Sequence, residues 1–236
     1  EKYDRRFISL DEGMGECGEN VKWTLDNKGT LTISGEGAME NWNGENSPWY
    51  DKANIKKVVI ENGVTTIGDS AFKKCSSIAE ISIPDTVTSI GLGAFEYCTA
   101  LTEITIPDSV TFIDMAAFLE SGLTSIEIPD SITSIGDSAF SGCKNLSSVK
   151  FSENITLIGM GAFSDCPALT SITLPKSLDS LWTAAFTLCD NLASITIENP
   201  ECEIDDTSVT IPKNATIYGY TGSTAQAYAT KYSRKF

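Results

Sequence analysis

The feature that most constrains this chain is a fixed step. An Ala-Phe pair recurs at Ala71-Phe72, Ala94-Phe95, Ala117-Phe118, Ala139-Phe140, Ala162-Phe163 and Ala185-Phe186, with phenylalanine spacings of 23, 23, 22, 23 and 23 residues. A period of this length denotes stacked units, each of which buries its apolar face only against its neighbours. The copies start at Val64, Val87, Val110, Ile132, Ile155 and Leu178. Counting these as position 1, position 4 holds Ile67, Ile90, Ile113, Ile135, Ile158 and Leu181. Position 15 holds Ile78, Leu101, Leu123, Leu146, Leu169 and Leu192.

Positions 18 and 20 alternate around one polar residue, as in Ile81/Ile83, Ile104/Ile106, Ile126/Ile128, Val149/Phe151, Ile172/Leu174 and Ile195/Ile197. A β-branched run of period two predicts a short strand with one buried face. The L-x-x-I-x-I spacing is the strand half of a leucine-rich repeat. Stacked copies predict about seven or eight parallel strands forming one sheet. Pro84, Pro107, Pro129 and Pro175 end the strand by removing a ladder donor. The rest of each copy is too short for a long helix. Gly68, Gly91, Gly136 and Gly159 are expected to permit a tight turn, followed by a short helical or irregular segment that carries Ala-Phe.

The flanks break the period. Glu1 to Asn20 reads as a loose lead-in. Val21, Trp23, Leu25 and then Leu31, Ile33 alternate around Asp26-Asn27-Lys28-Gly29, a hairpin signature. Trp42, Trp49 and Tyr50 follow in a Gly- and Asn-rich loop. They are expected to plug the open end of the stack; the other reading is a sugar platform. After Ile197, Glu198 to Asp206 reads as an acidic connection, Val209 and Ile211 as one more strand-like piece, and Thr216 to Tyr220 as another. Ser223 is expected to cap a helix over residues 224–231, with Tyr218 and Tyr228 covering the last coil and Phe236 returning as a strand residue. The organisation expected is an N-terminal lead-in and hairpin cap over 1–57, a solenoid over 58–212 and a C-terminal cap over 213–236.

Units such as SIGDSAFSGCKNLSSV and LTEITIPDSVTFI, over Val58 to Ile197, resemble the BspA-like leucine-rich repeat family of bacterial surface proteins. The flanking ENVKWTLDNKGTLTISGEGAM, SPWY and ATIYGYTGSTAQAYA are similar to segments that border such arrays. The resemblance implies an α/β-type leucine-rich repeat solenoid, right-handed, with a parallel sheet on one face and short helical or irregular segments on the other. It further implies a secreted or surface-anchored protein, often carrying further domains, that adheres to host or microbial partners. It brings no catalytic residues. Asp114 and Trp182 in the glycine position, Ser121 in the cysteine position, and Ser152 and Glu198 in the proline position depart from the pattern.

The formal net charge is −15, from 17 basic and 32 acidic residues. That argues against nucleic acid, whose binding needs clustered Lys and Arg, and against an anionic membrane surface. No run reaches the ~18 apolar residues of a membrane span, so no membrane insertion is expected. With no histidine in the chain, Ser-His-Asp and Cys-His nucleophiles are excluded, and neither a metal nor a cofactor is expected. The chain starts at Glu1 with no apolar leader, so any signal peptide has been removed or lies outside this sequence.

Candidate partner-binding residues lie on the exposed strand positions: Glu80, Glu103, Glu127, Ser82, Thr105, Lys150, Thr173 and Thr196. Glu80 and Glu103 occupy the same position in adjacent copies and are expected side by side, as solvated acids rather than an acid/base pair. The face is otherwise polar and poor in aromatics. Leu92, Met115 and Met160 share position 6, interrupted by Asp137. Facing outward they would form an exposed stripe; the expectation is that they point inward as core.

Five of the seven cysteines, Cys75, Cys98, Cys143, Cys166 and Cys189, sit three residues after the repeat phenylalanine, in no metal-ligand spacing. Neighbouring coils ~4.8 Å apart fall within disulfide reach. Parallel Cβ directions and the interruption at Ser121 instead favour buried free thiols. The functional expectation is a non-catalytic extracellular binding or adhesion module for a protein or glycan. A structural spacer displaying another domain is the alternative, and an enzyme the remote one.

Overall fold

The computed structural model describes residues 13–236. The expected lead-in over Glu1 to Asn20 is only partly within reach, since residues 1–12 lie outside the described residues. The rest of it is not loose. Strand β1 (Gly13–Glu16) pairs antiparallel with β2 (Val21–Leu25), which turns through Gly29 at φ 83° into β3 (Thr30–Gly35). Gly13 and Gly15 let Trp23 lie flat on β1, because a Cβ at Gly15 would stand 2.7 Å from the indole nitrogen. With the exposed Met14 as its only apolar side chain, β1 gives no period-two signal.

Each coil beyond the hairpin contributes three hydrogen-bonded segments. The first ladder is the expected one, at positions 17 to 20. It runs from β3 to Lys57–Ile60 and Glu80–Ser82, all parallel. It then breaks, because residues 103–106 enter no strand. The ladder resumes as Ser125–Glu127 with Ser148–Lys150, breaks again, and ends as Ser171–Leu174, Ser194–Ile197 and Thr216–Tyr218. The first break adjoins the coil of Val110, which is one residue shorter than the others. The second follows Phe151, whose ring stands edge-on to Phe163 with centroids 5.8 Å apart.

The second ladder was not expected as a strand. Positions 3 and 4 form a continuous eight-stranded parallel sheet: Gly37–Ala38, Val64–Ile67, Ser89–Ile90, Phe112–Ile113, Ser134–Ile135, Leu157–Ile158, Ser180–Leu181 and Glu203–Ile204. The sheet therefore reaches into the acidic connection after Ile197, whereas Val209 and Ile211 form no strand. Proline carbonyls fix the turn between the two ladders. Val87, Val110, Ile132 and Leu178 donate to Pro84, Pro107, Pro129 and Pro175 at 3.0–3.1 Å. Thr86, Ser109, Ser131 and Ser177 hydroxyls donate to the position-1 carbonyl of the preceding coil at 2.6–2.8 Å.

The third segment carries Ala-Phe and is a chain of turns, not a helix. Two residues in each copy have positive φ, as at Ser70 and Lys74, Gly93 and Tyr97, and Ala116 and Glu120. The first of each pair is always Ser, Gly or Ala, which suits the left-handed region's intolerance of bulk. Alternate amides bond to the next coil, as Phe72 to Ala94 at 2.8 Å and Phe95 to Ala117 at 2.7 Å. The position-5 glycines are not the turn-makers that the sequence suggested, since Gly68, Gly91, Gly136 and Gly159 do not have positive φ. They are small because the preceding coil crowds them: a Cβ at Gly91 would meet Asp69 Oδ1 at 2.5 Å, and one at Gly159 would meet Asp137 Oδ1 at 2.6 Å. Those carboxylates accept the amides of Leu92 at 2.9 Å and Met160 at 2.7 Å.

The phenylalanines form one column. Phe72, Phe95, Phe118, Phe140, Phe163 and Phe186 are fully buried and stack at 5.2–5.7 Å. Trp49 extends the column by stacking on Phe72 at 5.7 Å and donates its indole N–H to the Ala71 carbonyl. Trp23 and Trp42 meet Trp49 edge-on at 5.8 and 5.5 Å. At the far end Ser223 caps helix α1 (Thr224–Lys231), and Tyr228 is buried and stands 4.8 Å from Tyr232. Tyr218 does not cover the last coil: it is 55% exposed. Lys235, rather than Phe236, makes the returning bridge, with Thr216.

The cysteine position has a hydrogen-bonding role. All seven cysteines are free and buried. Cys75 donates its S–H to the Trp49 carbonyl, and Cys98, Cys143, Cys166 and Cys189 donate to Phe72, Phe118, Phe140 and Phe163, at 3.0–3.3 Å. Each thiol thus reaches the carbonyl of the ring residue one coil back. In the third copy Ser121 instead lies with its hydroxyl 3.3 Å from Cys143 Sγ.

Two expectations follow. Phe140→Ala is expected to cost about 3–5 kcal/mol in urea unfolding; a loss under ~1 kcal/mol would remove the column from the core. Burial also pushes Cys17, Cys75 and Cys202 up to about 12 and Cys143 up to about 11, from an ordinary 9.0. The native state keeps these protons where the unfolded chain loses them. Stability is therefore full below pH 9 and falls as pH rises towards 11–12, by about 1.4 kcal/mol per pH unit for each such thiol. Unfolding titrations of the native protein and Cys75→Ala between pH 8 and 10.5 should show the variant's slope shallower by that amount. Parallel slopes would contradict the buried-thiol account.

Candidate binding surfaces

The side chains of the first ladder face solvent in two rows. One runs through Lys57 and Glu80, and then Ser125, Ser148, Ser171, Ser194 and Thr216. The other runs through Val59 and Ser82, and then Glu127, Lys150, Thr173, Thr196 and Tyr218. Glu80 does not stand unpaired: its carboxylate meets Lys57 Nζ at 3.0 Å. Glu127 is paired with Lys150, and the carboxylate raises the lysine's pKa. Glu103 and Thr105 lie in the segment that enters no strand, so Glu103 and Glu80 are not ladder partners. Glu103 and Glu127 instead line a shallow cleft of about 330 Å³ with Asp108 and Ser125. Among the described residues no group of three or more Cys, Asp or Glu side chains could hold a metal ion. The face is less devoid of aromatics than the sequence suggested, because Tyr218 takes the row position after Thr196.

The second ladder presents different chemistry. Its outward position 3 reads Thr66, Ser89, Phe112, Ser134, Leu157, Ser180 and Glu203. Position 6 beside it points outward, contrary to expectation. Leu92 is 42% exposed, Met115 46% and Met160 50%, and Phe112 adds 43%. The sequence could not settle this orientation, because it depends on the positive-φ residue that follows at position 7 and turns the chain inward at Ala-Phe.

Trp182 belongs to the same surface and was noticed only as a departure from the glycine pattern. Where the preceding coil carries a position-6 aspartate, its carboxylate fills the space of a Cβ and position 5 is glycine, as at Gly91 and Gly159. Met160 replaces that aspartate ahead of Trp182. The indole stands 46% exposed. A tryptophan at a position that is glycine in four of the six copies was the available signal. Next to it the last strand of the second ladder, Glu203–Ile204, runs beneath α1. Between them lies a groove of about 540 Å³ lined by Trp182, Ser180, Glu203, Asp205, Asp206 and the Thr224, Tyr228 and Lys231 face of the helix. The signal for this strand was also present, since Ile204 lies 23 residues after Leu181.

A family model for the BspA type leucine-rich repeat region matches residues 45–122 and 111–218, in six copies. Among solved structures, a leucine-rich repeat protein from Eubacterium ventriosum aligns with a TM-score of 0.59 at 24% identity, covering 88% of this chain and 68% of the other. One from Bacteroides ovatus aligns with a TM-score of 0.56 at 22% identity, covering 92% and 72%. No curated protein matches the chain. Among the described residues no helix is long and apolar enough to cross a membrane. With the repeat, the stacked rings and the parallel ladders all in agreement, this chain belongs to the BspA type leucine-rich repeat family.

Proposed function

We propose that this protein is a non-catalytic binding module of a secreted or cell-surface protein and that it holds a protein partner against the second ladder. The observation that carries this reading is the row of large apolar side chains, Leu92, Phe112, Met115, Met160 and Trp182, all more than two-fifths exposed on or just beyond the strands of one continuous sheet. A chain of net charge −15 gains no solubility from such a row, which only Asp137 interrupts between Met115 and Met160, and clustered exposed apolar surface marks interaction sites. Methionines at two of the five positions suit a contact that adapts to its partner. The polar residues of the first-ladder face, Ser82, Thr173, Thr196, Glu80 and Glu127, with Glu103 and Thr105 in its break, serve as the polar margin of this contact. Its Glu–Lys pairs are exposed and contribute little each.

The test compares the native protein with Met115→Glu/Met160→Glu on arrays of extracellular proteins and of glycans. A protein partner should be held by the native chain and weakened at least about tenfold by the variant, because a carboxylate buried against apolar surface loses its hydration. Binding confined to glycans, or no binding by the native chain, would overturn this reading; the second outcome would favour a spacer that displays another domain.

A further inference from the structure

The groove beneath α1 differs in chemistry from the apolar row, and it goes beyond the reading just given. We infer that it receives a Lys or Arg side chain from a basic peptide segment, held against Trp182 between Glu203 and Asp205.

The groove is short of cations, with Lys231 alone among its lining residues. Four acids elsewhere on this chain carry counter-ions of their own: Glu80 has Lys57, Glu96 has Lys73, Glu127 has Lys150 and Asp165 has Lys144. In the groove only Asp206 is so provided. Lys231 Nζ meets both of its oxygens at 2.5 Å and the Tyr232 hydroxyl donates to it at 2.9 Å, which holds the Asp206 carboxyl below its ordinary value. Glu203 and Asp205 have no ion-pair partner among the described residues. The one cation on the groove wall is therefore committed, while two carboxylates remain free.

Their placement is set by the backbone. Glu203 pairs in register with Ser180, and the Asp205 amide bonds to the Leu181 carbonyl at 2.9 Å. Both acids thus lie one coil beyond Trp182 along the same wall. Glu203–Ile204 is the terminal strand of its sheet, so no further coil covers the wall and α1 roofs only part of it.

An exposed indole face attracts a cation through its quadrupole, and most strongly among aromatic rings. Carboxylates alongside it accept the ammonium or guanidinium hydrogen bonds, which are strong when one or both groups are ionised. An acidic ligand would be repelled by the same two groups and by the −15 charge of the chain. That charge also steers a basic segment inward, with a rate that falls as salt rises. The volume of about 540 Å³ fits one long side chain with its flanking backbone, within the ordinary range of ligand clefts.

The experiment titrates the full chain against a fluorescein-labelled Gly-Lys-Gly-Lys-Gly peptide and its Nε-acetyl-lysine counterpart, by anisotropy, at low and at physiological salt. Three variants keep the fold: Trp182→Ala, the isosteric pair Glu203→Gln/Asp205→Asn, and Glu19→Gln/Glu36→Gln, whose residues are exposed near the other end of the stack and which makes the same change in net charge. Trp182→Ala and the groove pair should each weaken the lysine peptide about tenfold. The distant pair should change it less than twofold, and the acetylated peptide should bind at least tenfold more weakly. Equal losses from both charge pairs would reduce the effect to the overall field and overturn the site. So would equal binding of the acetylated peptide, or no binding of the lysine peptide at about 1 mM, the weak end of specific recognition. Because the charge pairs leave the apolar row intact and Trp182→Ala removes only one of its five members, failure here leaves the apolar-row reading standing, and failure there leaves this one standing.

Discussion

Everything in this protein depends on coil-to-coil registry. Each coil is too small to bury its own apolar residues, so its stability comes from hydrogen bonds and contacts with the coils before and after it. Registry is enforced by identical chemistry repeated at the same position. Backbone amides bond forward and backward, rings stack at 5.2–5.7 Å, thiols reach back to the ring carbonyls, and Ser or Thr hydroxyls reach back to the position-1 carbonyls. Once one position is in register, its neighbours can only be in register too. The ends obey the same rule, since Trp49 serves as the ring that precedes Phe72.

This registry separates structural from exposed side chains and so shapes the surfaces. On the first ladder, exposed positions that match across coils hold opposite charges or hydroxyls, and the acids are largely neutralised by Lys57 and Lys150. Beside the second ladder, Leu92, Phe112, Met115, Met160 and Trp182 stand among polar positions, and no part of the described chain covers them. The aspartates at position 6 act in both roles. Asp69 and Asp137 cap the next coil's amide and force glycine beside it. Where Met160 takes that place, no carboxylate fills the space and Trp182 stands next to the free acids of the last coil.

The sequence made the fixed step, the ring column, the free thiols, the hairpin at Gly29 and the helix after Ser223 legible, because each leaves a residue-type mark at a set spacing. The second ladder left little mark. Its strands are mostly two residues long and bury one side chain each, such as Ile90 or Ile135, so no alternation could reveal them. The first ladder was over-read for the opposite reason. Ile104 and Ile106 alternate well, yet residues 103–106 enter no strand, beside a coil shortened by one residue. For the candidate surfaces, composition located the acids but not their partners: that Glu80 meets Lys57 follows from parallel register, not from spacing along the chain. The outward turn of Met115 and Met160 rests on positive-φ residues that carry no single signature, being Ser, Gly or Ala.

The central claim is that the second ladder is the continuous spine of the stack while the first is interrupted. Native-state hydrogen exchange measures this directly, since amides in stable ladders exchange only through large openings. The amides of Gly91, Asp114, Gly159, Trp182 and Asp205, each bonded to the preceding coil at 2.9–3.1 Å, should share one high level of protection along the length of the stack. The amides of residues 103–106 should exchange orders of magnitude faster. Uniform protection through 103–106, with fast exchange at Gly91, Asp114 and Gly159, would contradict the account.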